Sequence, residues 1–174
     1  IRIAEPALIH LREYLGITSF IAVMGNKGPT IVRMEEPSLP VTVNVRVGSV
    51  LSFLWSATGR VFLGLHDEPA VRALARQEFD TLGETQDPPA PFDTLVTQLQ
   101  DEIKRFECVC ARDTNLKGSS AVAAPVFNYA GQLTAVLTAL GASGGFDTSL
   151  NGPIAVCVRQ QAQRISQQLG YNIA

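Results

Sequence analysis

The spacing of apolar positions changes several times along the chain, and each change marks an element. Ala4, Leu8, Leu11 and Leu15 recur at helical intervals, and Gly16 stands where such a helix would stop. Phe20-Ile21-Ala22-Val23-Met24 reads as a largely buried strand. Gly25-Asn26-Lys27-Gly28-Pro29 is a turn, so Ile31-Val32-Arg33-Met34 returns as the second arm of a hairpin. Val41, Val43, Val45 and Val47 alternate with Thr42, Asn44 and Arg46, which predicts a strand with one buried face, broken by Gly48.

Helical spacing then resumes. Ser56-Ala57-Thr58-Gly59 reads as a helix entrance, with Val61, Phe62 and Leu65 on its apolar side. Asp67 is placed to cap a further helix running to about Phe79, and residues 80–91, with Pro88, Pro89 and Pro91, read as a loop. From Phe92, the set Leu95, Val96, Leu99, Ile103 and Phe106 makes an amphipathic helix. Residues 108–113 and 120–127 are β-like, Asn128-Tyr129-Ala130-Gly131 is a turn, and 133–140 is another strand. Ile154, Val158, Ala162, Ile165 and Leu169 define a closing helix, with Pro153 early in it and Gly170 at its end. This order implies hairpin-paired, mainly antiparallel strands covered by helices, an α+β fold, and not the strand–helix alternation of a doubly wound sheet. No internal repeat or second domain is visible, so residues 1–174 are read as one domain.

Composition narrows the function classes. At 46% hydrophobic and 17% charged residues, the chain is globular rather than disordered. Its net charge of −2 and lack of a basic cluster argue against phosphate-backbone binding by this chain. No apolar run approaches the ~20 residues of a bilayer span, and the N-terminus lacks a signal peptide's pattern. Three cysteines, two of them at i,i+2, make no secreted disulfide framework, so a cytoplasmic protein is expected. The start without methionine, directly at a helix, reads as a fragment of a longer protein.

Each candidate for chemistry has a plainer explanation. Gly141-Ala142-Ser143-Gly144-Gly145 matches the G-x-S-x-G nucleophile elbow and lies between a strand and a helix. Both histidines, His10 and His66, precede that serine, against the hydrolase order, and the elbow needs a parallel sheet. A glycine-rich connection accounts for the residues without catalysis. Cys108 and Cys110 face one side of a strand with no histidine nearby, which reads as small apolar residues packed under a helix and not as a metal or redox pair. Glu35 and Glu36 beside Pro37, and Asp101 and Glu102 on a helix, read as solvated charge. No phosphate-cradling glycine loop is present, so no cofactor is expected, and no catalytic ensemble remains to support an enzyme.

Two ordered stretches resemble the C-terminal effector domain of the IclR family of transcriptional regulators. The first runs from Gly48 through Ser56-Ala57-Thr58-Gly59-Arg60-Val61-Phe62-Leu63. The second takes in Arg105-Phe106, Gly118, Ala123-Ala124-Pro125-Val126-Phe127-Asn128, a glycine turn and Leu133-Thr134-Ala135-Val136-Leu137. Ile165-Ser166-Gln167-Gln168-Leu169-Gly170 is similar to the family's closing helix.

That resemblance implies a GAF-like (profilin-like) antiparallel sheet with helices on both faces, and a small organic effector held between the sheet and the S/T-A-x-G helix. Carried over by position, the binding residues would be Ala57, Thr58, Ala111, Asp113, Ala121, Ala123, Thr138 and Leu140. Cys108 and Cys110 would point to the opposite face. The resemblance also implies homodimers or homotetramers, and DNA contact only through a winged helix-turn-helix absent from this chain. Alanines and a leucine at 111, 121 and 140 replace the polar side chains of members that sense small oxo-acids, so an aromatic or otherwise apolar-bodied carboxylic acid is the expected effector. The alternative is a generic GAF-type sensor or interaction module of a signalling protein.

Overall fold

A computed structural model describes residues 2–37, 45–66, 68–83, 90–112 and 118–172. Helix α1 (Glu5–Leu15) ends at Gly16, whose φ of 64° is the left-handed stop that a glycine adopts without strain. The hairpin β1 (Thr18–Gly25) and β2 (Gly28–Glu35) follows. Helices α2 (Ala57–Leu65), α3 (Pro69–Gly83) and α4 (Phe92–Phe106) come next, then strands β3 (Val109–Arg112), β4 (Ser119–Phe127) and β5 (Leu133–Ala142). A single 3-10 turn, Ser143–Gly145, leads on towards α5 (Pro153–Gln168). The strands form one sheet in the order β2-β1-β5-β4-β3, with every pairing antiparallel.

Period-two alternation sorts each strand's side chains between two cores. One face carries Phe20, Ala22, Val109, Ala111, Ala121, Ala123, Val136 and Leu140 and packs against α2, α3 and α4. The other carries Ile21, Val122, Ala124, Val126, Leu137 and Ala139 and packs against α1 and α5. Helices on both faces are therefore required, since neither apolar surface is left to solvent. Cys108 and Cys110 lie on the α5 side, as alternation predicts, and burial pushes both thiols up from their ordinary range, which favours the protonated form.

Three expectations change. The helix expected to end near Phe79 continues to Gly83, because Leu82 still packs on the core; the expected cap Asp67 lies outside the described residues. Of the strand expected over 41–47, residues 41–44 also lie outside them. Val45 is buried but Val47 is 60% exposed, and the chain turns between Arg46 and Ser49 instead of keeping a pleat. Gly48, at φ 93°, makes that turn and still donates to the Ile31 carbonyl, so the segment follows β2 irregularly. Glu35 is not solvated loop charge: it sits in β2 and accepts from Arg12 at 2.9 Å and Arg33 at 3.3 Å, while Arg33 also reaches Glu5. These partly exposed pairs tie α1 to the edge strand.

Glu107 ends α4 at φ 58°, the only positive φ at a non-glycine residue among those described. Left-handed backbone at such a residue costs on the order of 1 kcal/mol. The side chain's return is one exposed hydrogen bond from Gln163, at 2.8 Å. Glu107→Gly is expected to stabilise the domain by about 0.5–1 kcal/mol, seen as a higher urea midpoint at unchanged slope.

Candidate functional site

Small side chains at 111 and 121 leave a gap where α2 begins. Across the sheet, Ala111 pairs with Ala121, and Ala121 with Leu140; Ala123 pairs with Thr138, and Thr138 with Phe20. Above this floor lie Trp55, Ser56, Ala57 and Thr58, and the partly open cavity measures about 30 Å³. Leu51 and Val45 complete one wall, and Ser119 and Ser120 stand on another side.

Six of the eight residues singled out from sequence, namely Ala57, Thr58, Ala111, Ala121, Thr138 and Leu140, line this one cavity. Ala123 does not: it is fully buried in the adjoining core. Asp113 lies outside the described residues. Sequence reasoning missed Phe20, Val45, Leu51, Trp55, Ser56, Ser119 and Ser120. Phe20 could have been found from its place on the same face as Leu140; the wall from 45 to 55 has no periodic signal.

The polar groups of the cavity are hydroxyls and helix-end amides. Thr58 and Thr138, each 1% exposed, share a hydrogen bond of 2.7 Å between their hydroxyls. Two hydroxyls joined by one bond keep one further O–H to donate. Ser56 caps α2 by accepting from the Gly59 amide at 2.8 Å, the arrangement expected of an N-cap serine. The Ala57 and Thr58 amides ahead of it have no acceptor among the described residues. They open α2 at its positive dipole end. No charged side chain lines the cavity among the described residues.

Two charged side chains stand outside it and hold its wall. Arg60 donates to the Leu54 carbonyl at 2.7 Å and to the Cys110 carbonyl at 3.3 Å, so it joins the 52–55 segment to β3. Burial lowers its pKa, opposed by Cys110 and Glu102. Glu102 is half-buried beside it rather than on a solvated face, with its own pKa raised by burial and lowered by Arg60. Glu78 of α3 accepts from the Phe53 and Leu54 amides at 3.2 and 3.1 Å.

The features weighed against catalysis fall elsewhere. Ser143 sits in the 3-10 turn, sharing a 2.8 Å hydrogen bond with Ser120. His10 stacks on Tyr14 on the exposed face of α1, and His66 ends α2. The sheet is antiparallel throughout. A larger groove of about 350 Å³ lies between the ends of α4 and α5, over the β4 edge that β3 leaves unpaired, with Pro125 on that edge.

The family model described as "Bacterial transcriptional regulator IclR C-terminal" matches residues 1–167. The chain belongs to this family. HmgR of Pseudomonas aeruginosa, in its crystal structure, is 33% identical, with a TM-score of 0.88 over 99% of this chain and 68% of its own. IclR of Thermotoga maritima is 18% identical, with a TM-score of 0.80 over 98% of this chain and 68% of its own. The C-terminal domain of Escherichia coli KdgR is 18% identical, with a TM-score of 0.76 over 98% of each chain. The latter two share the fold. No match is found among the curated proteins. The IclR domain is thus the C-terminal domain of a transcriptional regulator, and no helix among its described residues is long and apolar enough to cross a membrane.

Proposed function

We propose that this IclR domain senses a small organic effector in the cavity between α2 and the sheet, and that occupancy is passed to operator binding through a change in subunit arrangement. The observation that carries the reading is the buried Thr58–Thr138 hydroxyl pair, placed in an apolar cavity beside the first amides of α2. One spare O–H and two N–H groups form a donor set, matched to a carboxylate or carbonyl oxygen. Apart from Ser56, Ser119 and Ser120, the remaining walls are Phe20, Val45, Leu51, Trp55, Leu140 and alanines, which suit an aromatic or aliphatic body. A very small polar acid would bring oxygens that those walls leave unpaired.

DNA contact belongs, on this reading, to a winged helix-turn-helix in a longer parent regulator, and the assembled form is a dimer or tetramer. The domain itself carries no catalytic role. Regulation requires the effector to favour one subunit arrangement over the other, since equal affinity for both would shift nothing. Calorimetric titration checks the effector class. Benzoate and phenylacetate are expected to bind, and pyruvate and glyoxylate to bind weakly or not at all. Tight binding of only the two small acids would overturn the assignment.

A further inference from the structure

A cavity of about 30 Å³ holds a water molecule or two, whereas ligand pockets for organic molecules run to several hundred cubic ångströms. If the effector reading holds, a wall must therefore move. The sheet floor is locked by its ladder, and α2 is buried along most of its length. The 52–55 segment also buries Phe53 and Leu54, but side chains rather than a backbone ladder hold its polar groups. Ser52 Oγ accepts from the Trp55 amide at 3.0 Å and from Leu54 at 3.2 Å, and the Ser56 hydroxyl donates to the Ser52 carbonyl at 2.6 Å. Arg60 takes the Leu54 carbonyl, and the Glu78 carboxylate takes the Phe53 and Leu54 amides, one on each oxygen.

Glu78 is the member of this set that comes from a separate element. It lies 25 and 24 positions away from its two partners, on a helix that packs Val71, Leu74, Ala75, Phe79 and Leu82 on the core, so the clamp ties the segment to a separately packed element. The segment it pins carries Trp55, a cavity wall residue and the chain's single tryptophan.

We propose that Glu78 is a positioning residue for the effector cavity: its carboxylate clamps the 52–55 segment to α3 and holds the cavity contracted, so that an effector is admitted only when this clamp opens. The inference rests on the effector reading for its purpose, but the clamp is testable without a ligand. Ionised, the carboxylate accepts through both oxygens. Burial pushes its pKa up, while the Ser52, Leu54 and Phe53 hydrogen bonds pull it down. A glutamine keeps the shape but turns one oxygen into an N–H donor facing an amide N–H, which breaks half the clamp.

The experiment compares the wild-type chain with Glu78→Gln by amide hydrogen exchange and by acrylamide quenching of Trp55. At Phe53 and Leu54 exchange is expected to accelerate on the order of tenfold or more, with β4 and β5 amides unchanged and Trp55 more readily quenched. Unchanged exchange at Phe53 and Leu54 would overturn the clamp. So would acceleration spread equally over β4 and β5, which marks a general stability residue. Stopped-flow mixing with phenylacetate, read by Trp55 emission, forms the second arm. A severalfold faster association in Glu78→Gln supports the gating role, and an equal rate in both proteins overturns it. If neither protein binds any of the acids while the exchange result stands, the effector class fails and the clamp does not.

Discussion

Alanine in place of Gly59 is expected to lower the melting temperature by roughly 10 °C, which corresponds to about 3 kcal/mol in a domain of this size. A Cβ at this position would lie 1.9 Å from the Ser52 carbonyl oxygen and 2.6 Å from the Phe53 Cα. Both neighbours are backbone, so no rotamer change relieves the overlap; either the 52–55 segment or the start of α2 must shift. Alanine favours a helix over glycine by about 1 kcal/mol, which is too little to offset the clash. The displaced segment is the one that Glu78 and Arg60 hold, so Trp55 emission should change as well. Gly83→Ala serves as the control: nothing lies within 4 Å of its added methyl group, and its melting temperature should be unchanged or slightly higher. Thermal unfolding of the two variants side by side decides the matter. Equal melting temperatures would show that the approach of α2 to the 52–55 segment is looser than described.

Thr138→Val is expected to destabilise the domain by about 1–3 kcal/mol despite preserving side-chain shape, because Thr58 keeps a buried hydroxyl that has lost its partner. The double change Thr58→Val with Thr138→Val removes both polar groups and should recover most of that loss. Denaturant unfolding of the two singles and the double yields the coupling directly, and additive losses would contradict a shared hydrogen bond. Effector affinity should follow a different order. If a carboxylate uses the spare O–H, both the single and the double variants should bind an aromatic acid about tenfold or more weakly, including the double that has regained stability. A double variant with full affinity would place the effector's oxygen elsewhere.

How far the site could be read from sequence differs residue by residue. The family resemblance put Ala111, Ala121, Thr138 and Leu140 on one side of the sheet, and alternation then put Cys108 and Cys110 on the other. Ala123, carried over with them, shares their face of the sheet but lies covered in the adjoining core. The helix entrance at residues 56–59 was legible because the signal is local, and the structure adds that Ser56 caps it through the Gly59 amide. The wall from 45 to 55 was not. There the valine pattern predicted a pleat, and hydrogen bonds from Gly48 and Ser49 override it.

The sequence by itself determined most of the element order, the hairpin pairing and the family, since these follow from local periodicity, turn chemistry and ordered motifs, and the helices on both faces of the sheet came with the family resemblance. Only the tertiary structure decided what closes the cavity. Thr58 meets Thr138 across 80 positions, Arg60 reaches Cys110 across 50, and Glu78 reaches Leu54 across 24. None of these pairs lies on a helical or strand repeat. A charge on an amphipathic helix looks alike in sequence whether it faces water or a neighbouring loop, and only packing tells the two apart. Glu78 belongs to the second kind.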